Sequence, residues 1–173
     1  MAFEPDGRPI DETDWRILEE LQRDGRISYS ELGRRVALTA PAVAERVRRL
    51  EESGVIKGFH ADVDPARMGF PITAFVRWTS AGPDCAALGD VAREILEIVE
   101  CHRITGETSY ILKILARDVG HLEELIDGLT AYGSTITSVA LSSPVEHRPV
   151  GSAQLRDERL EGGARKAAAR VGA

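Results

Sequence analysis

Between Thr39 and Asp64 the chain reads TAPAVAERVRRLEESGVIKGFHADVD, with Arg46, Arg48 and Arg49 close behind a run of small residues. A guanidinium presents a planar fork of donors, suited to phosphate oxygens and to the O6 and N7 edge of guanine. Small residues at a helix N-terminus let the backbone come close to base edges. Thr39 can cap such a helix, and Pro41 falls in its first turn, where a missing N–H costs little. Val43, Val47 and Leu50 recur at i, i+4 and i+7 and form one apolar stripe. Pro41, Ala42, Glu45, Arg48 and Arg49 then turn to the far side, with Arg46 on the flank. A solvated arginine face on an ordinary helix has the same pattern, so the preceding residues must decide.

Other chemistries find little support. No serine, cysteine or histidine sits in a nucleophile motif. His60, His102, His121 and His147 are scattered at no ligand spacing, and Cys85 and Cys101 match neither a zinc motif nor a disulfide framework. No metal and no cofactor is expected, and the two cysteines read as small, mostly buried side chains. The 173 residues suit one large or two small domains, and 43% apolar content is ample for packed cores. No apolar run is long enough for a membrane span and no signal-peptide pattern opens the chain, so a soluble, cytoplasmic protein is expected. The net charge of −6 does not advertise nucleic-acid binding, but from Leu21 to His60 eight basic residues face five acidic ones. A local basic patch is therefore expected in a chain that is acidic elsewhere.

The elements that must position these residues follow from caps and periodicity. Asp11 can cap a first helix over Ile10 to Arg23, with Ile17, Leu18 and Leu21 inward and Gly25 as its stop. Ser28-Tyr29-Ser30-Glu31 fits a capping box for a second helix over Tyr29 to Val36. Ala37-Leu38 is a tight turn into the third helix, which Gly54 ends. This is a helix-turn-helix, and a hairpin over Val55 to Val63 would be its wing. Asp64 to Pro71 reads as a linker. Ile72 to Ser80, Ile98 to Gly106, Ser109 to Arg117 and Ser134 to Ser143 read as strands, and Cys85 to Leu96 and Val119 to Thr130 as helices. The order β-α-β-β-α-β is that of a ferredoxin-like unit. Pro149 to Ala173, rich in Arg, Glu, Gly and Ala, reads as a mobile tail or a short solvated helix.

The fold class is thus α+β. A winged helix-turn-helix over residues 1–63 precedes a linker (64–71), a ferredoxin-like domain (72–148) and a disordered tail (149–173). With these residues in view, IDETDWRILEELQRDGRISYSELGRRVALTAPAVAERVRRLEESGVIKGFHADVDPARMGF resembles the N-terminal half of the Lrp/AsnC (leucine-responsive, or feast/famine) transcription regulators. VECHRITGETSYILKI and TITSVALS resemble the family's effector-binding and oligomerisation domain, so the likeness runs from about Ile10 to His147.

The resemblance implies a sequence-specific regulator that binds double-stranded DNA. It implies Ser30, Thr39, Ala40, Ala42, Glu45, Arg46, Arg49 and Lys57 at the DNA. A small-molecule effector, an amino acid or a related metabolite, is placed near Gly106, Glu107, Ser109, Thr135, Thr137 and Ser138. A homodimer, assembled further into an octamer, would present paired helices to a palindromic site. One departure bears on the effector: the family usually has aspartate where this chain has Ser109, and a serine can hydrogen-bond but cannot pair with an ammonium. Two other readings use the same scaffold. Sirohaem decarboxylases resemble this family and act on a tetrapyrrole with a haem-facing histidine, whereas an architectural protein would pack DNA without an effector. The arginine face of the third helix favours the regulator.

Overall fold

The structure is a computed structural model that describes residues 9–80 and 86–152. The described residues divide into two compact units, one within 9–61 and 145–152 and one within 62–144.

The first unit begins with α1 (Glu12–Arg23), α2 (Tyr29–Val36) and α3 (Ala40–Glu52). Each helix starts at a side-chain cap. The Asp11 carboxylate accepts the Asp14 N–H, the Ser28 hydroxyl accepts the Glu31 N–H and the Thr39 hydroxyl accepts the Ala42 N–H. Each cap satisfies one of the orphan donors of its first turn. The reciprocal half of a capping box forms at α1, where Asp14 accepts the Asp11 N–H, rather than at α2. At α2 the Glu31 carboxylate is drawn forward to Arg34 and Arg35 instead. Ile10 lies outside α1 and packs with Trp15 against the core, the arrangement of a hydrophobic staple. That core joins Ile17, Leu18 and Leu21 of α1, Leu32 and Val36 of α2, and Val43, Val47 and Leu50 of α3.

The α2–α3 turn is tight. Ala37 adopts the left-handed conformation at φ 59°, and the Leu38 N–H donates to the Gly33 carbonyl at 2.8 Å. A Cβ on Gly33 would stand 2.5 Å from the Leu38 carbonyl oxygen. At the end of α3, Gly54 takes φ 72° and its N–H donates to Glu51, as expected of a C′ glycine.

Two expectations for this part are corrected. Among the described residues no strand forms between 53 and 71, so the Val55–Val63 wing is absent as a hairpin. Val55 and Ile56 are instead drawn against the helical core, with the Ile56 N–H donating to Leu50, and the exposed remainder is too short to hold two strands together. The start of the C-terminal segment is anchored rather than loose. Val150 donates its N–H to Gln22 Oε1 at 2.9 Å and accepts from Gln22 Nε2 at 2.8 Å, and Gly151 is buried. Residues 153–173, the remainder of the expected tail, lie outside the described residues.

In the second unit, a 3-10 turn (Ala66–Met68) leads to β1 (Ile72–Ser80), α4 (Ala86–Glu94), β2 (Ile98–Arg103), β3 (Tyr110–Ala116), α5 (Val119–Thr130) and β4 (Gly133–Val139). The sheet order is β2-β3-β1-β4, with antiparallel pairing throughout, as a ferredoxin-like unit requires. Alternation sets its two faces. Ala74, Val76, Trp78, Tyr110, Leu112 and Ile114 are buried on the helix-covered face with Leu122 and Leu129. Trp78 donates its indole N–H to the Leu129 carbonyl and meets Tyr132 edge-on. The other face carries Phe75, Arg77, Ile111, Lys113 and Ile136, with Phe75 and Ile136 exposed by 42% and 56%. Cys101 is exposed on the edge strand β2, contrary to the buried position expected; Cys85 lies outside the described residues.

Candidate functional site

The apolar stripe of α3 faces the core and leaves Pro41, Glu45, Arg48 and Glu52 as its exposed ridge. Thr39 stands at the tip of this ridge, and Ala40 and Ala42 are half-buried beside it. Ser30 is exposed in the first turn of α2. Lys57 is exposed beyond α3 and, among the described residues, carries no ion pair. The helix N-terminus is free of bulky side chains, and the ridge behind it carries Arg48.

The arginines divide into three environments. Arg48 holds Glu45 as a fork, Nε to Oε2 at 3.0 Å and Nη2 to Oε1 at 2.6 Å, and reaches Glu52 with Nη1. These carboxylates raise the Arg48 guanidinium further, and Arg48 holds Glu45 below the usual carboxylate range. The pairs are i, i+3 and i, i+4 contacts in water, so solvent screens them, each contributes little, and a phosphate can compete for the guanidinium. Arg46 is different. Its Nη1 donates to Asp11 Oδ2 and to Asp14 Oδ1, both at 2.7 Å. Burial pushes the Asp11 carboxyl up, but the Arg46 hydrogen bond and the Asp14 N–H outweigh it and hold it low. Arg46 is a strut between α3 and α1, its guanidinium engaged by two carboxylates of the neighbouring helix. Arg49 is intermediate, its Nη2 4.0 Å from Asp14 Oδ1 and its Nε buried without a hydrogen-bond partner.

On α2, Arg34 and Arg35 share Glu31, which Arg34 first and Arg35 second pull down to about 2. Arg35 also holds Glu20 at 2.6 Å. Much of the local positive charge counted in the sequence is therefore already paired, leaving Lys57 and Arg26 as exposed cations without an acidic partner among the described residues.

The six residues expected at the effector fall into three places. Gly106, at φ 108° in the β2–β3 connection, has open space where a Cβ would stand, and Glu107 is exposed beside it. The Ser109 hydroxyl accepts the Ser80 N–H at 3.2 Å, and its backbone N–H donates to Trp78, so this serine ties the turn to the end of β1. Thr135 and Thr137 pair with Trp78 and Val76 on the helix side of β4, whereas Ser138 pairs with Phe75 on the opposite face. Ser109, in the turn just before β3, and Thr135 of β4 flank Trp78, but all six do not converge within one chain.

Three residues with evident roles were not among the expected contacts. Arg48 lies on the same i, i+4, i+7 ridge as Pro41 and Glu45, and that periodicity was available. Asp14 lies three residues from Asp11, a capping spacing, but its contact with α3 is long-range. Gly33 carried no local signal, because the carbonyl that excludes its side chain lies in the next turn.

The comparisons with known proteins agree with this geometry. Residues 10–51 match the model of the AsnC-type helix-turn-helix domain, and residues 73–150 match that of the Lrp/AsnC ligand binding domain. The chain is 40% identical over 138 residues to the HTH-type transcriptional regulator YezC of Bacillus subtilis, covering 80% of this chain and 98% of that one. The solved structure of B. subtilis LrpC is 36% identical with a TM-score of 0.76, covering 79% of this chain and 98% of that one. A transcriptional regulator of Neisseria meningitidis, NMB0573, solved as a complex with L-Met, is 26% identical with a TM-score of 0.77, over 84% of this chain and 99% of that one. The chain belongs to the Lrp/AsnC family of DNA-binding transcriptional regulators.

Proposed function

We propose that this chain regulates transcription in the cytoplasm by laying α3 in the major groove of a palindromic operator, as a homodimer whose DNA affinity answers to an amino acid or a related metabolite. The observation that carries this reading is the exposed ridge of α3, with Thr39, Ala40 and Ala42 at its tip and Glu45 and Arg48 behind them. Small residues there admit the backbone to base edges. Arg48 and Arg49 supply the cations, Ser30 and Lys57 add phosphate contacts, and Arg46 holds the helix in place.

The dimer is argued from the open sheet face. Phe75, Ile111 and Ile136 form an apolar patch that a second copy would cover, and higher assembly to an octamer would extend the same contacts. The effector is argued from the L-Met carried by the Neisseria relative and from the open space over Gly106. The six candidates are split across one chain, so two chains would complete the cleft. Ser109 is occupied with the Ser80 N–H, which leaves Glu107 as the carboxylate for an ammonium group and Thr135, Thr137 and Ser138 as hydroxyls for the rest. Neither an enzymatic reaction nor a tetrapyrrole is part of this reading, because the cations of α3 lie on a helix-turn-helix rather than around a cavity.

The test is selection from a random duplex library, followed by a thermal-shift screen of amino acids. A ligand that binds only the native state raises the melting temperature by mass action. The expected result is an enriched two-fold-symmetric motif and at least one amino acid that stabilises the protein. Absence of any enriched motif refutes the operator reading, and a 400 nm absorption band in the purified protein would point to a tetrapyrrole enzyme.

A further inference from the structure

We propose that Asp14 is a positioning residue for the arginines of α3: a buried carboxylate on α1 that pins Arg46 and holds Arg49 half-withdrawn, so that α3 exposes one cation fewer than its sequence offers. This rests on the reading that α3 meets DNA.

Asp14 is buried, with 6% of its surface exposed, in the first turn of a helix whose other first-turn acid, Glu12, is exposed. Capping does not need this burial, since the N-cap residue Asp11 is itself exposed, as are the caps Ser28 and Thr39. One Asp14 oxygen, Oδ2, takes the Asp11 N–H at 3.3 Å. The other, Oδ1, takes Arg46 Nη1 at 2.7 Å and stands 4.0 Å from Arg49 Nη2. Arg46 and Arg49 are one helical turn apart, so a single carboxylate on the neighbouring helix can serve both. The competition is unequal. Arg46 also has Asp11 at hydrogen-bond distance, whereas Arg49 reaches Asp14 only at the longer distance, feels Glu45 through space and keeps its Nε buried without an acceptor.

Two consequences follow. The attachment of residues 46 and 49 to a point on α1 fixes the roll of α3 about its own axis, and so which side chains form its outward ridge. The charge of Asp14 also offsets Arg49 at the edge of the DNA-facing surface. Removing that charge frees Arg49 for a phosphate, while Arg46 keeps Asp11.

The two effects separate in the salt dependence of binding, where each added phosphate contact steepens the slope of log K against log salt by about 0.9. Binding of the full chain to a labelled mixed-sequence duplex of about 20 base pairs, followed by fluorescence anisotropy, reads this slope. Asp14→Asn should steepen it by about 0.9 per protomer at the interface, and Asp14→Glu should restore it. The steepening should persist in an Arg46→Met background and vanish in an Arg49→Met background. An unchanged or shallower slope for folded Asp14→Asn, or a steepening that survives Arg49→Met, overturns the assignment. Should Asp14→Asn fail to fold, proton exchange at Arg49 Nε–H in the wild-type protein is the second test: it should be slow, and exchange as fast as at exposed Arg26 overturns the assignment. Wild-type protein that shows no salt-dependent binding defeats the DNA reading itself, whereas wild-type binding with equal slopes in the variants defeats only the role of Asp14.

Discussion

In the helical unit the residues argued to meet DNA all fall between Ser30 and Lys57 and are supported by one core. In the sheet unit the residues argued to meet an effector run from Gly106 to Ser138 over a turn and an edge strand, and they face different ways. The helical unit is also laced with arginine–carboxylate pairs that hold Asp11, Glu20, Glu31 and Glu45 low. In the sheet unit Glu100, against Lys113, is the one described carboxylate held low. A self-contained helical unit can present a complete binding ridge by itself. An edge strand with an apolar open face acquires its site only against something else. Trp15 lies in the first unit and Trp78 in the second, so their two indole signals follow the units separately.

The largest expected effect is at Gly33. A Cβ there would press on the Leu38 carbonyl, which is backbone and cannot swing aside, so Gly33→Ala should cost about 1–3 kcal/mol, near the upper end. The melting transition seen at Trp15 should fall while that at Trp78 stays in place. Equal shifts at both would show that the units do not unfold independently.

Next comes the open face of the sheet. Phe75→Glu with Ile136→Lys should disrupt self-association, with a loss of about 2 kcal/mol, or roughly thirtyfold in dissociation constant. Sedimentation velocity at micromolar concentration should then show monomer where the wild type shows dimer or larger. Wild-type protein that is already monomeric would place the missing half of the effector cleft elsewhere.

A smaller effect is expected at Ala37, held at φ 59°. A left-handed conformation costs a non-glycine residue about 1–2 kcal/mol, and glycine loses about 0.5–1 kcal/mol more entropy on folding. Ala37→Gly should therefore stabilise the first unit by on the order of 0.5 kcal/mol, read again at Trp15.

The smallest is the acid response. Glu31 sits at about 2 in the folded chain, below its ordinary 4.5. A depressed carboxylate contributes stability that is complete above its unfolded value and is lost as the pH falls through its folded one. Acidification from pH 4.5 towards 2 should therefore weaken the first unit before the second. These pairs are exposed, so the effect is modest. A Trp78 signal that melts first in acid would reverse the comparison.

Legibility in the sequence followed the same division. Asp11, Ser28 and Thr39 mark their helix starts because a cap is a contact within three residues, and β1 and α5 were readable from alternation and from 3.6-residue periodicity. The wing was misread because Val55 and Ile56 have strand-like side chains, and only the presence of a helical core nearby decides that they pack there. Arg46 has the residue type of a DNA contact, but Asp11 and Asp14 lie more than thirty residues away in the chain, and no local pattern records that pairing. Thr135, Thr137 and Ser138 read as one hydroxyl-bearing stretch, yet the pleat sends Ser138 to the other face.

The central claim is that the ridge of α3 reads DNA, and the most direct measurement is the affinity of an Arg48→Ala, Arg49→Ala variant for a selected duplex at physiological salt. The two Trp signals would verify that the variant remains folded. Loss of one specific bidentate contact is worth about 1–3 kcal/mol, so the variant should bind at least about fivefold more weakly than the wild type. Undiminished affinity in the folded variant would contradict the account.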